Sequence, residues 1–196
     1  IAFIGLLLLY LKRNVIYEET DPIYAVPVTA GFIFQISNPS ETRVTWFENT
    51  SYAHELDHFE LFKTLKAVND YIDSSSVFKH PTTKAFLSRT CIVSLHPGKS
   101  GQHDWHVAIP LKNHKEEREL LKIIESATPG NDPLKAGNTE IFALKGSVIP
   151  AEAFAASYNG VFMLSNQSRL IEASTKQLSE EISVLDDTAF RSIHKT

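Results

Sequence analysis

The sequence predicts an α+β domain, a largely antiparallel sheet with helices packed on one face, preceded by the truncated end of a transmembrane helix. Three observations predict it. Thr90–Leu95 and Trp105–Leu111 are apolar, β-prone runs joined by the turn-forming loop His96-Pro97-Gly98-Lys99-Ser100-Gly101-Gln102. Ala153–Tyr158 and Val161–Ser165 are joined by Asn159-Gly160, a strong two-residue hairpin signal. Hairpins pair strands antiparallel, whereas a doubly wound nucleotide fold needs parallel crossovers, and no Gly-x-Gly-x-x-Gly occurs. Finally, Ile1–Leu11 (IAFIGLLLLYL) is an apolar run that stops at Lys12-Arg13.

A bilayer span takes about 20 apolar residues, so this run is too short to cross alone. Its expected role is the C-terminal half of a transmembrane helix or uncleaved signal anchor over residues 1–13, because Lys12-Arg13-Asn14-Val15 is a poor cleavage site. Lys12 and Arg13 on the downstream side favour a cytoplasmic bulk by the positive-inside rule. Residues 14–26 carry Glu18, Glu19, Asp21 and Pro22 without any period and read as a juxtamembrane linker. The domain is expected over 27–196 and cut at its C-terminal end, since Asp186-Asp187-Thr188-Ala189-Phe190 looks like the cap and first turn of a further helix.

Within the domain, Ala30–Ser37 predicts a strand, after which Asn38 can cap a helix with Pro39 at its first position. Residues 51–74 repeat Leu61, Leu65, Val68 and Ile72 at helical spacing. Following the first hairpin, Lys115–Ser126 predicts a helix, Glu140–Leu144 a strand, and Gln167–Leu178 a helix after the second hairpin. Phe34–Ser40 and Phe162–Ser168 echo one another, as two strands that each end by starting a helix would, or as a duplicated strand-to-helix unit would.

Composition excludes several classes. Hydrophobic residues make up 43% of the 196 and charged ones 21%, which suits a folded domain and not a disordered tail. One cysteine, Cys91, rules out an internal disulfide framework and a cysteine-rich zinc module. With 19 basic against 23 acidic side chains, the footprint of a general nucleic-acid binder is missing.

The sharpest chemical string is His54-Glu55-Leu56-Asp57-His58. On a helix, histidines four apart share a face and can hold Zn²⁺ while the glutamate activates its water, so the alternative reading has His54 and His58 as metal ligands and Glu55 as catalytic base of a zinc-dependent metallopeptidase. Against it, Tyr52, Leu56 and Phe59 form an apolar stripe roughly opposite the two histidines. The stripe of Leu61, Leu65, Val68 and Ile72 extended backwards would instead pass through them, so a kink is expected near residues 58–60. Asp57 is also out of character in such a motif, and the first reading is a solvated helix face. Pro97-Gly98-Lys99-Ser100 resembles the end of a P-loop, but position 93 is Val93 and a strand follows, so it reads as a hairpin turn. His96, His103 and His106 cluster at this loop and read as exposed positions, since alternation puts Trp105, Val107, Ile109 and Leu111 on one face and His106 on the other. Cys91 reads as a buried structural thiol. Asn49-Thr50-Ser51 and Asn166-Gln167-Ser168 match the glycosylation tripeptide, and no Gly-x-Ser-x-Gly elbow occurs.

The opening span, Ala25-Val26-Pro27 leading to Ala30-Gly31-Phe32-Ile33 and Ser37-Asn38-Pro39, Ile92–Pro97 with Gly98-Lys99, and Leu164-Ser165 followed by Leu170-Ile171-Glu172-Ala173 are the residues of a likeness. Through them the chain resembles an uncharacterised family of membrane-anchored envelope proteins, mainly from Bacteroidetes, that share a domain of unknown function. The resemblance implies a single-pass protein with its bulk in the periplasm, opposite to what Lys12-Arg13 favours, and it implies no catalytic residue. The function expected is non-catalytic binding or scaffolding at the envelope. The expected partners are the membrane, through the anchor, and an envelope protein, with no cofactor and no nucleic acid.

Overall fold

Seven strands form one antiparallel sheet in the computed structural model, which describes residues 20–39, 41, 81–98, 103–128, 132–144, 153–188, 190 and 191. The strands are β1 (Phe32–Ile36), β2 (Cys91–Pro97), β3 (His103–Pro110), β4 (Leu134–Ala136), β5 (Thr139–Leu144), β6 (Ala153–Tyr158) and β7 (Val161–Ser165). Helices α1 (Pro81–Leu87), α2 (His114–Ala127) and α3 (Ser168–Glu180) accompany them, with 3₁₀ turns at Pro22–Ala25 and Val184–Asp186. The sheet order is β1-β2-β3-β7-β6-β5-β4, every neighbouring pair antiparallel. The α+β class and both expected hairpins are therefore present.

Local chemistry sets the registers. Asn159 and Gly160 have φ of 46° and 79°, the two positive angles of a type I′ turn, so Tyr158 pairs with Val161 directly across it. Gly137, φ 61°, opens the β4–β5 turn, a position that side chains rarely tolerate, so that Ala136 faces Thr139. The β2–β3 hairpin closes Pro97 on His103, which makes Pro97-Gly98 part of a hairpin connection, as its sequence suggests. Asn113 caps α2 by accepting the Glu116 amide at 3.0 Å. Asn38 accepts the Glu41 amide at 3.4 Å, in keeping with the helix start expected at Pro39.

Helices cover both faces of the sheet, which corrects the expected one-sided packing. Adjacent residues on the central strands fall into different cores: Ile92, Ala108 and Met163 pack with Ile171 and Leu178 of α3, whereas Cys91, Ile109 and Phe162 pack with Phe86 of α1 and Leu120 of α2. Neighbours on a strand point to opposite faces. The physical reason is that Cys91-Ile92, Ala108-Ile109 and Phe162-Met163 are apolar in consecutive positions, so one covered face would leave half of them in water. On the α1–α2 side, Phe86 and Phe162 meet edge to face at 5.3 Å.

The core also takes in residues that the sequence reading gives to a linker. Asp21 caps the Pro22–Ala25 turn through a 3.0 Å bond from the Ile23 amide, and Ile23, Ala25 and Val26 are buried on the α3 face. Their spacings of 2 and then 1 sustain neither a strand nor a helix period, so no periodicity marks them. Gln177 of α3 then holds this segment as a strand would: its Nε2 donates to the Val26 carbonyl and its Oε1 accepts from the Val28 amide, both at 2.8 Å. The Ile1–Leu11 run, the helix expected over 51–74 and the His54–His58 motif lie outside the described residues. Among the described residues, no helix is long and apolar enough to cross a membrane.

One ion pair ties the β2 entrance to α2. Arg89 donates to both carboxylate oxygens of Glu116, at 2.7 and 2.5 Å, and to the Pro110 carbonyl at 3.0 Å, and Glu116 also accepts the Lys112 amide at 2.8 Å. Both side chains are nearly buried, 12% and 11% exposed, so removing one strands the other charge. Arg89→Ala is expected to lower unfolding stability by roughly 3 kcal/mol, measured by urea denaturation. A loss under 1 kcal/mol would instead mean that the pair behaves as a surface contact.

Candidate functional site

The described residues gather their reactive side chains where β2 and β3 meet α3. On the strand pair, Ser94 faces His106 and His96 faces Asp104 in register, all on the α3 side of the sheet. Ser94 and His106 are fully buried and His96 is 1% exposed. This corrects the reading of His96 and His106 as exposed positions. Alternation does put His106 opposite Trp105 and Val107, but α3 and the Pro22–Ala25 segment cover that face too; His103, by contrast, is exposed as expected.

A buried imidazole must have both nitrogens partnered or lose hydration without return. His96 manages this with two hydroxyls, Thr29 Oγ1 at 3.0 Å from Nδ1 and Ser94 Oγ at 2.9 Å from Nε2. His106 does not. Its Nε2 lies 3.0 Å from Ser174 Oγ, while its Nδ1 is buried without a partner. Ser174 spends its single hydroxyl proton on the Leu170 carbonyl at 3.0 Å, so the imidazole is the donor in the His106–Ser174 bond. That fixes the Nε2–H tautomer and leaves Nδ1 a bare lone pair. A second proton there would find no acceptor.

The charges follow from this enclosure. Burial, helped by the neighbouring His96, pushes the His106 pKa down to about 3. His96 is also lowered, first by burial; a hydrogen bond to the Thr29 backbone opposes this, and Arg169 and Asp104 act in opposite directions. Asp104 itself pairs with Arg169 and accepts from Asn166 Nδ2 at 3.3 Å. Asn166 Oδ1 accepts the Trp105 amide at 2.9 Å and Ser165 Oγ donates to the Trp105 carbonyl at 2.6 Å, so these side chains continue the β3–β7 ladder beyond its last paired residue. Asn166, one of the two glycosylation matches, thus has both ends of its amide engaged.

Ser94, His96 and Asp104 are the residue types of a hydrolytic triad, placed side by side. Their connections are different. Thr29 holds the His96 nitrogen that a triad aspartate would orient, Asp104 is turned to Arg169, and Ser94 has no accessible surface. The arrangement satisfies buried polar groups and presents no nucleophile to solvent. Sequence reading missed it, although a signal was there: Ser94-Leu95-His96 puts Ser and His on one strand face, and the hairpin register sets Asp104 opposite.

Cys91 is buried as expected, and burial raises its thiol pKa to about 11, so it is not a reactive cysteine. Two open grooves flank the Gly137-Asn138 turn. One, about 400 Å³, touches Lys135, Glu140 and Ser157, and the other, about 430 Å³, touches Tyr158, Glu172 and Lys176. Neither reaches the buried histidines. No group of three or more His, Cys, Asp or Glu side chains positioned to hold a metal occurs among the described residues; His54, Glu55 and His58 lie outside them. Compared with protein-family models, curated proteins and solved structures, the chain matches none.

His106 makes stability depend on pH with a definite sign. Its folded pKa lies below the ordinary value of 6.5, so the unfolded chain binds protons first as pH falls. Its contribution is fully present above pH 6.5 and is lost as pH drops towards 3. At pH 5 the loss is about 2 kcal/mol for a histidine that stays neutral when folded. Urea midpoints should therefore be flat between about pH 7 and 8 and fall from pH 6.5 to 5, and His106→Gln should remove about 2 kcal/mol of that difference. A variant with the full acid dependence of the parent would exclude His106 as its source.

Proposed function

We propose that the chain is the folded extracytoplasmic part of a single-pass, membrane-anchored envelope protein of the family it resembles, with a non-catalytic binding or scaffolding role towards another envelope protein. The observation that carries this reading is the sealing of Ser94, His96 and His106: among the described residues, this serine–histidine cluster is used to join a helix to a sheet. What it leaves to solvent instead includes Phe32 and Phe34 on the edge strand β1, 63% and 43% exposed, which is the kind of surface a binding domain offers. The apolar run Ile1–Leu11 supports an anchor, and the likeness to envelope proteins supports a periplasmic bulk.

Topology can be read with one new cysteine, because Cys91 is buried and its thiol stays protonated. In spheroplasts, Lys176→Cys in the full-length protein should react with a membrane-impermeant maleimide without lysis. Labelling only after lysis would put the domain in the cytoplasm and overturn the periplasmic assignment. Metal analysis tests the non-catalytic role separately: stoichiometric zinc that is lost in His58→Ala would overturn it in favour of the metallopeptidase, with His54 and His58 as ligands and Glu55 as base. Crosslinking in solubilised membranes is expected to recover a defined envelope protein, lost when Phe32 and Phe34 are both changed to Ser; recovery unchanged by that double variant would remove β1 from the interaction.

A further inference from the structure

The elements on the His96–His106 side form one connected layer. Gln177 binds α3 to the backbone of Val26 and Val28, and Ile23, Val26, Ile171, Leu178 and Val184 share a single core. This layer meets the polar end of the sheet through three side-chain links: Ser174 to His106, Thr29 to His96, and Arg169 to Asp104. Two of the three end on an imidazole.

We propose that the His96–His106 pair makes this layer an acid-released cover: when the pair takes up protons, α3 and the Pro22–Ala30 segment undock together from β2 and β3, while the strands stay paired.

The surroundings of the two rings favour release over accommodation. Around His106 the side chains are Ser94 and His96 from β2, Ser165 from β7 and Ser174 from α3, none of them a carboxylate. Around His96 stand Thr29, Asp104 from β3 and Arg169 from α3, and that carboxylate is already paired with that guanidinium. Asp21 and Asp186, the acidic side chains of the two 3₁₀ turns, are exposed, and β1 brings no titratable group. A proton on His106 Nδ1 is therefore unmatched, and with both rings charged the pair repels itself inside the core. Undocking hydrates both. The opposite face, with Phe86, Cys91, Ile109, Leu111 and Phe162, contains no buried histidine among the described residues; the titratable group buried beside it is Glu116, whose carboxylate is held by Arg89 and by the Lys112 amide.

The lowered pKa values of both rings agree with this direction: the docked layer excludes protons and the open one accepts them near 6.5. Between pH 8 and 5 the open-to-docked ratio should rise about 30-fold through His106 alone, and on the order of a thousandfold if His96 takes part fully.

Hydrogen exchange of the full chain, followed by mass spectrometry at pH 7.5 and 5.0 and corrected for the intrinsic pH dependence of exchange, tests the proposal. Opening of peptides covering 168–180 and 22–29 should increase at least about 30-fold at the lower pH, and that of peptides covering β2 and β7 by less than about threefold. In His96→Gln/His106→Gln the acid increase should disappear. Helix and strands opening together would show general acid unfolding, and an unchanged increase in the variant would place the trigger elsewhere; either overturns the proposal. Should the variant fail to fold, histidine NMR of the parent decides: His106 titrating near pH 6.5 with α3 still protected overturns the cover, whereas a ring that stays neutral until α3 opens supports it.

Discussion

An antiparallel sheet buried on both faces leaves its central strands no solvent side on which to place a polar residue. Every buried polar group on β2, β3 and β7 must then find its partner inside the protein or lose its hydration uncompensated. Much of the rest of the structure answers that constraint. Ser94 with His96 and His106 with Ser174 form hydrogen-bonded pairs on the α3 side, and the ladder at Trp105 is completed by the side chains of Ser165 and Asn166. His106 is where the solution is incomplete, with one ring nitrogen left without a partner.

The two cores are held by different physics. On the α1–α2 side the apolar cluster is flanked by the Arg89–Glu116 pair, in which the carboxylate sits in the first turn of α2, where the helix dipole favours it, and also receives a backbone amide. On the α3 side apolar contact is supplemented by neutral hydrogen bonds from hydroxyls and from Gln177. Neutral hydroxyl–imidazole bonds are worth about 1 kcal/mol each, yet they depend on both rings staying uncharged. Among the described residues only the α3 side holds its polar seam through buried imidazoles.

This also bears on function. A serine, a histidine and an aspartate in neighbouring positions would suggest hydrolysis if their types alone were considered, but chemistry needs an accessible nucleophile and a base oriented for it. Ser94 lacks the first and His96 the second, so the cluster supports a role in packing.

Sequence and structure divide along a clear line. The strands and their hairpins were legible because local chemistry specifies them: Asn159-Gly160 and the loop from His96 to Gln102 determine antiparallel neighbours, and the helical periods over 115–126 and 167–178 predict α2 and α3 to within a few residues. The burial of Cys91 followed from its apolar strand. By contrast, the three-residue β4 is too short to carry a pattern, and the Pro22–Ala25 turn has no period to find. Alternation along β3 assigns His106 to a side of the sheet but cannot say whether anything covers that side. Only the docking of α3, clasped to a segment about 150 residues away in the chain, makes that side an interior. The sequence by itself determined which residues share a face; the tertiary structure decided which faces are dry, because burial is a property of elements brought together across the chain and periodicity is a property of one element alone.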